Sequence, residues 1–229
     1  MCIRDRVRSA GARVVLHGRD AEVLARTAAE VEGVVGTAAF DVTDAEAVRA
    51  GVDALVAEHG VPDILVNNAG VQRRAPFAEL SAADWDTVLA TNLSSAFHVS
   101  RALVPGMVAR GSGKIVNIAS VQSALARQTI APYSASKGGL VMLTKGMAAD
   151  LARHGIQVNA LSPGYFDTQM NQALVQDEAF TAWVEQRTPA GRWGRPEELI
   201  GTLVYLCSAA SSYVSGQNIF VDGGMTSVV

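Results

Sequence analysis

A chain of 229 residues with 49% hydrophobic and 18% charged residues can build one sizeable buried core and carries too little charge to stay disordered. Its formal net charge of −3 offers no general attraction for nucleic acid or an anionic membrane. No apolar run is long enough to cross a bilayer, and the opening "MCIRDR" is too charged for a signal peptide.

Two cysteines, Cys2 and Cys207, give neither a disulfide framework nor metal-ligand spacing, and no two of the four histidines stand three or four apart. The composition points to a soluble protein of the cytoplasm.

Short apolar runs alternate with longer helical patterns along the chain. Strands are expected at "ARVVLH", "VVGTAAF", "PDILVNNA", "GKIVNIA", "IQVNALS" and "QNIFVDGG". Several are apolar on both faces, as strands covered by helices on both sides must be. Helices are expected at 20–32, at 44–60, over a long stretch from Ser81 to Arg110, at 131–155 and at 195–210. Asp20 is placed to cap the first of these, and Ser81 with Asp84 opens the third in the manner of a capping box. Strict β/α alternation predicts a single α/β domain built on a doubly wound parallel sheet, Rossmann-like, with three αβα layers.

Such sheets bind ligands beyond the carboxyl ends of their strands. The residues there are "HGRD" (17–20), "FDVTD" (40–44), "NNAG" (67–70), "NIASVQS" (117–123) and "SPGYFDT" (162–168). Any one of these polar stretches reads as a turn. Five converging on one edge read as a site.

Within "APYSASKGG" (131–139), Tyr133 and Lys137 stand four apart and share a helix face. A phenol with a pKa of about 10 exchanges protons poorly near neutrality, and a cation beside it favours the phenolate. Bringing it toward neutrality takes roughly 3–4 kcal/mol, within reach of one close charge. Lys137 is therefore expected to make Tyr133 more acidic, so that Tyr133 can serve as a general acid toward a substrate oxygen near neutrality. Ser120, at the end of "KIVNIAS", is placed to hold the same oxygen.

Taken in order, "NNAG", "TNLSSAF", "NIAS" thirteen residues before the tyrosine, "YSASK", "VNALSPGYFDT" and "VDGG" closely resemble the short-chain dehydrogenase/reductase family. The resemblance runs from about Ser9 onward. It implies an NAD(P)-dependent oxidoreductase with the catalytic tetrad Asn92, Ser120, Tyr133 and Lys137. Asn92 would hold a water linking Lys137 to solvent, and Lys137 would also bond the nicotinamide ribose. Asp41 and Val42 would flank the adenine. Asn67, Ala69 and Gly70 would line the adenosine side, and Pro163, Gly164, Phe166 and Thr168 would hold the nicotinamide amide.

Where NAD-selective members often carry Asp the chain has Gly18, followed by Arg19, whose planar fork suits a 2′-phosphate. NADP(H) is favoured, with NAD(H) the alternative.

The family also begins with a strand, a TGxxxGxG turn and a helix. Here the resemblance implies that this βα unit of about 25–30 residues is absent and that residues 1–6 are unrelated sequence. The remaining sheet would then have an open seam, and the chain as written would fold poorly and turn over weakly. An intact parent would be a homotetramer, with interfaces on the Tyr133 helix, the 195–210 helix and the "NIFVDGG" strand.

The stretches 117–139 and 162–201 look like the branch that interconverts gluconate and 5-keto-D-gluconate. Arg73, Arg74 and Arg127 are candidate partners for a sugar-acid carboxylate, and Gln122 and Tyr165 for its hydroxyls. Trp183 and Trp193 are expected to pack a lid or cover the substrate. A 3-ketoacyl thioester or another keto sugar acid is the rival substrate.

Overall fold

The computed structural model describes residues 11–31 and 33–229, and the reading of residues 1–6 lies outside them. In chain order the elements are β1 (Val14–Gly18), α1 (Ala21–Glu30), β2 (Val34–Ala39), α2 (Ala45–His59) and β3 (Ile64–Asn67). Next come α3 (Ala82–Leu89), a π-helical turn (Ala90–Ser94), α4 (Ser95–Arg110) and β4 (Gly113–Ile118). The chain continues with α5 (Ala131–Leu151), β5 (Ile156–Pro163), α6 (Gln172–Val175), α7 (Glu178–Arg187), α8 (Ile200–Cys207) and β6 (Asn218–Val221).

Every strand pair is parallel. β3, β4, β5 and β6 form one sheet in that order, while β1 pairs with β2 alone. Among the described residues no strand pairs with both β1 and β3. Apolar packing spans the gap instead: Val48 and Val52 of α2 meet Leu103 of α4, with Phe40 and Leu65 against them.

The doubly wound arrangement is clearest on β4. Ile115 faces Met107 of α4 and Ala148 of α5 on one side. Val116 and Ile118 face Leu203 and Leu206 of α8 on the other. Each fully buried aliphatic of this kind contributes about 1.5–3 kcal/mol of transfer free energy. Three layers result, and the sheet's carboxyl edge is left open between them.

The caps behave as the sequence implies. The Asp20 carboxylate accepts from the backbone N–H groups of Glu22 and Val23, at 2.9 and 3.0 Å. The Ser81 hydroxyl accepts from Asp84 N at 3.0 Å, but it also donates to the Asp84 carboxylate at 2.7 Å, so only half of the box forms.

Candidate active site

The expected long helix from Ser81 to Arg110 is interrupted. At Ala90–Ser94 it widens into a π turn that turns Asn92 inward, where it is 1% exposed. The Asn92 amide donates to Val71 O (3.0 Å) and to Ser136 Oγ (3.1 Å), and its oxygen accepts from Val71 N (2.8 Å). Ser136 Oγ in turn donates to the Tyr133 carbonyl at 2.7 Å. Asn92 therefore fastens the loop after β3 to the first turn of α5. Both of its amide protons are committed, so a water relay through this side chain has only the second lone pair of its oxygen. Ser136, which the sequence reading passed over, is the bridge. Its position three residues after Tyr133 was the available signal.

Ser120 follows β4 and accepts from Gln122 N at 3.2 Å. Tyr133 and Lys137 rise from α5 beside it, with Lys137 Nζ 5.7 Å from the centre of the Tyr133 ring. Lys137 is 4% exposed and donates to Ile118 O at 2.6 Å. Burial lowers its pKa to about 8.

Tyr133 corrects one expectation: its pKa is raised, not lowered. Burial is the largest influence, the Ser120 hydroxyl works against it, and Tyr165 adds to the rise. Lys137 lies by the ring face and is turned to a carbonyl, so in the ligand-free chain it does not offset the desolvation. The phenol is held protonated, as a general acid needs.

The cofactor residues divide. At the ends of β1 and β2, Arg19 Nη1 lies 4.0 Å from Asp41 Oδ2, both on the surface. Asp41 accepts from Thr43 N and Oγ1, and these bonds lead in lowering its pKa. Val42 is buried beside it. Ala69 lies on the edge, while the Asn67 side chain points into the interior, bonding Ser100 (3.1 Å) and Asn117 (2.8 Å). Asn117 continues to Thr144 of α5 at 2.8 Å. The Asn67 side chain therefore braces β3 against β4 and α4, which leaves its backbone to face a ligand.

Phe166 is likewise buried, its ring against Gly194, and offers a ligand only backbone. Gly164 N donates to Val221 O (2.9 Å), and a Cβ there would stand 2.8 Å from Asp222 Cα, so the approach of the β6 end requires glycine. Pro163 closes β5 and Thr168 leads into the next turn, both on the open edge.

A dinucleotide fits what this edge provides. Lys137 has two protons with no partner among the described residues, suited to ribose hydroxyls. Gly70 leaves the space above them open, since even a Cβ there would come no nearer than 3.6 Å to Asn92 Oδ1 and 3.8 Å to Lys137 Nζ.

Of the three arginines, Arg73 turns away, with Nε 3.4 Å from Asp84 Oδ1. Arg74 donates to Gln72 at 3.0 Å, and its pKa is lowered by burial and by Arg127. Tyr165 responds to both Arg127 and Arg74, although burial dominates and raises its pKa. Arg74, Arg127 and Gln122 therefore converge on Tyr165, which in turn influences Tyr133. Among the described residues neither Arg74 nor Arg127 has a carboxylate partner.

The Arg127 guanidinium lies over the Phe180 ring at 5.1 Å. Tyr165 meets Phe180, Trp183 and Trp193 edge-on, each at 5.7 Å between centroids. The two tryptophans pack the segment around α7, as expected. Phe180 is an addition that its sequence context did not mark.

Comparison with known proteins agrees with this geometry. A family model described as enoyl-(acyl carrier protein) reductase matches residues 2–226. The chain is 57% identical to gluconate 5-dehydrogenase of Gluconobacter oxydans over 219 residues, 94% of this chain and 86% of that one. It is 51% identical to 5-keto-D-gluconate 5-reductase of Escherichia coli over 218 residues, with the same two coverages. The crystal structure of a gluconate 5-dehydrogenase from Burkholderia cenocepacia in complex with NADP and tartrate superposes with a TM-score of 0.95 at 51% identity, covering 99% of this chain and 90% of that one.

Proposed function

The chain belongs to the short-chain dehydrogenase/reductase family, and we propose that within it the protein interconverts 5-keto-D-gluconate and D-gluconate with NADP(H). The observation that carries the substrate class is the gathering of Arg74 and Arg127, neither with a carboxylate partner among the described residues, around Tyr165, which bonds Gln122 and borders Tyr133. A carboxylate at one end of a short ketone meets that charge while its carbonyl lies against the two hydroxyls. The gluconate relatives, and the NADP and tartrate held by the Burkholderia enzyme, support the same reading.

Bound NADPH supplies a hydride to the carbonyl carbon. Tyr133 donates its proton to the carbonyl oxygen as that oxygen gains charge, and Ser120 donates a hydrogen bond to the same atom. Lys137 holds a positive charge behind the phenol, stabilises the phenolate left by the transfer, and bonds the ribose. Asn92 and Ser136 fix the first turn of α5, so that Tyr133 and Lys137 keep their spacing. Arg19 takes the 2′-phosphate and Asp41 and Val42 the adenine side, with Ala69, Gly70, Pro163, Gly164 and Thr168 lining the path between.

Apolar side chains on the outer faces of α4 and α5 (Phe97 and Met142) and Tyr205 of α8 are exposed. They suit burial between copies, which supports a homotetramer. No described helix is long and apolar enough to cross a membrane. A cytoplasmic site of action fits a reaction that draws on NADP(H).

The test is turnover of the purified protein with NADPH. Its kcat/KM for 5-keto-D-gluconate should exceed that for an uncharged ketose of similar size by about 10- to 100-fold, the worth of one charged hydrogen-bonded pair. Equal turnover of the two would remove the substrate assignment.

A further inference from the structure

One buried polar atom next to the reacting hydroxyls has no part in the chemistry above. Gln122 is 8% exposed. Its backbone N–H donates to Ser120 Oγ at 3.2 Å, and its side-chain Nε2 reaches Tyr165 Oη at 3.4 Å. Its Oε1 is buried without any partner. A buried amide oxygen left unpaired costs about 1–3 kcal/mol, and such a group in a folded protein calls for a reason. Exchanging the two ends of the amide leaves Nε2 unpaired instead. A hydroxyl satisfies either arrangement, since it both donates and accepts. A carboxylate or an ammonium satisfies only one.

The place of this atom narrows the choice further. Gln122 is two residues beyond Ser120, on the turn that Ser120 caps. Its partner Tyr165 is close enough to influence Tyr133 and to feel Arg127 and Arg74. The amide thus stands between the end that holds the reacting oxygen and the end that holds the carboxylate.

We propose that Gln122 is a specificity-determining residue that binds the hydroxyl on a carbon adjacent to the reacting carbonyl, so that the site takes α-hydroxy ketones of polyhydroxy acids and rejects acids with a methylene there. A 3-ketoacyl chain, with a methylene on each side of its carbonyl, leaves the amide unpaired in a closed site. Rejection on that basis is stronger than rejection by shape. The inference rests on the function proposed above and names the group that selects its substrate.

The test reads binding, not turnover. With NADPH saturating, gluconate-type alcohols form a complex that cannot react, and calorimetry gives their Kd. With C5 as the reacting carbon, the informative ligands are D-gluconate, 4-deoxy-D-gluconate and 6-deoxy-D-gluconate. The wild-type chain should bind D-gluconate about 10- to 100-fold tighter than one of the two deoxy compounds. Gln122→Met, of similar volume, should reduce that ratio to within about threefold of unity. Gln122→Glu keeps an acceptor oxygen and should restore it, although its charge weakens all three ligands.

Each ratio compares two ligands on one protein, so a fraction of misfolded chain cancels. A wild-type ratio retained by Gln122→Met overturns the inference, as does a wild-type chain indifferent to both deoxy compounds. Failure of D-gluconate to bind a wild-type chain that has bound NADPH overturns the proposed function and the inference with it.

Discussion

Lys137 holds a charge at a cost that can be measured. Its ammonium is 4% exposed, has one carbonyl partner, and titrates at about 8 instead of 10.5 because of burial. The difference of about 2.5 pH units corresponds to about 3 kcal/mol at about 1.4 kcal/mol each. The folded pKa lies below the unfolded one, so between pH 8 and 10.5 the unfolded chain binds more protons and stability rises with pH. The contribution is complete above 10.5 and is lost as pH falls through 8.

Lys137→Met keeps the bulk of the side chain and removes the titration. Denaturant unfolding of both proteins at pH 7 and pH 9.5 should show the wild type gaining about 2 kcal/mol relative to the variant across that interval. Tyr133 and Cys207 titrate in both proteins and drop out of the difference. Parallel stability curves would refute the reasoning, because they would mean that the buried lysine is already neutral or that water reaches it.

Three further expectations follow from the same geometry. Because burial raises the Tyr133 pKa, ketone reduction should run from neutral phenol at pH 7, while alcohol oxidation, which needs phenolate as base, should accelerate as pH rises. PH–rate profiles in the two directions check this, and Tyr133→Phe should lower kcat by about 10²–10⁴-fold in both without loss of stability. Arg19→Ala should raise the KM for NADPH by about 10- to 100-fold and leave that for NADH within a few-fold, as steady-state kinetics would show. Gly164→Ala should destabilise the fold by about 1–3 kcal/mol in denaturant melts, since the new Cβ meets the backbone of Asp222 at 2.8 Å.

How far the sequence could be read depended on how local each signal was. Asp20 caps α1 through bonds to residues two and three positions on, so the residue type and the start of a helical pattern suffice. The π turn at Asn92 is different. "ATNLSS" is compatible with unbroken helix, and the bonds that hold Asn92 go to Val71 and Ser136, 21 and 44 residues away. Adjacent arginines show the same limit. Nothing in "QRRA" distinguishes Arg73, which pairs with Asp84, from Arg74, which reaches the pocket. "NNAG" marked the right loop, but the inward turn of Asn67 depends on Asn117, on another strand.

From the sequence alone came the alternation of strands and helices, the parallel sheet, the edge where ligands gather, and the Tyr–Lys pair on one helix face. These follow from periodicity, caps and the 3.6-residue turn, which neighbouring residues set among themselves. Only the tertiary structure decided the direction of the Tyr133 shift, which of the two adjacent arginines pairs with Asp84, and the unpaired amide of Gln122. Desolvation and charge sum over everything the fold brings within a few ångströms, and most of that lies far away along the chain.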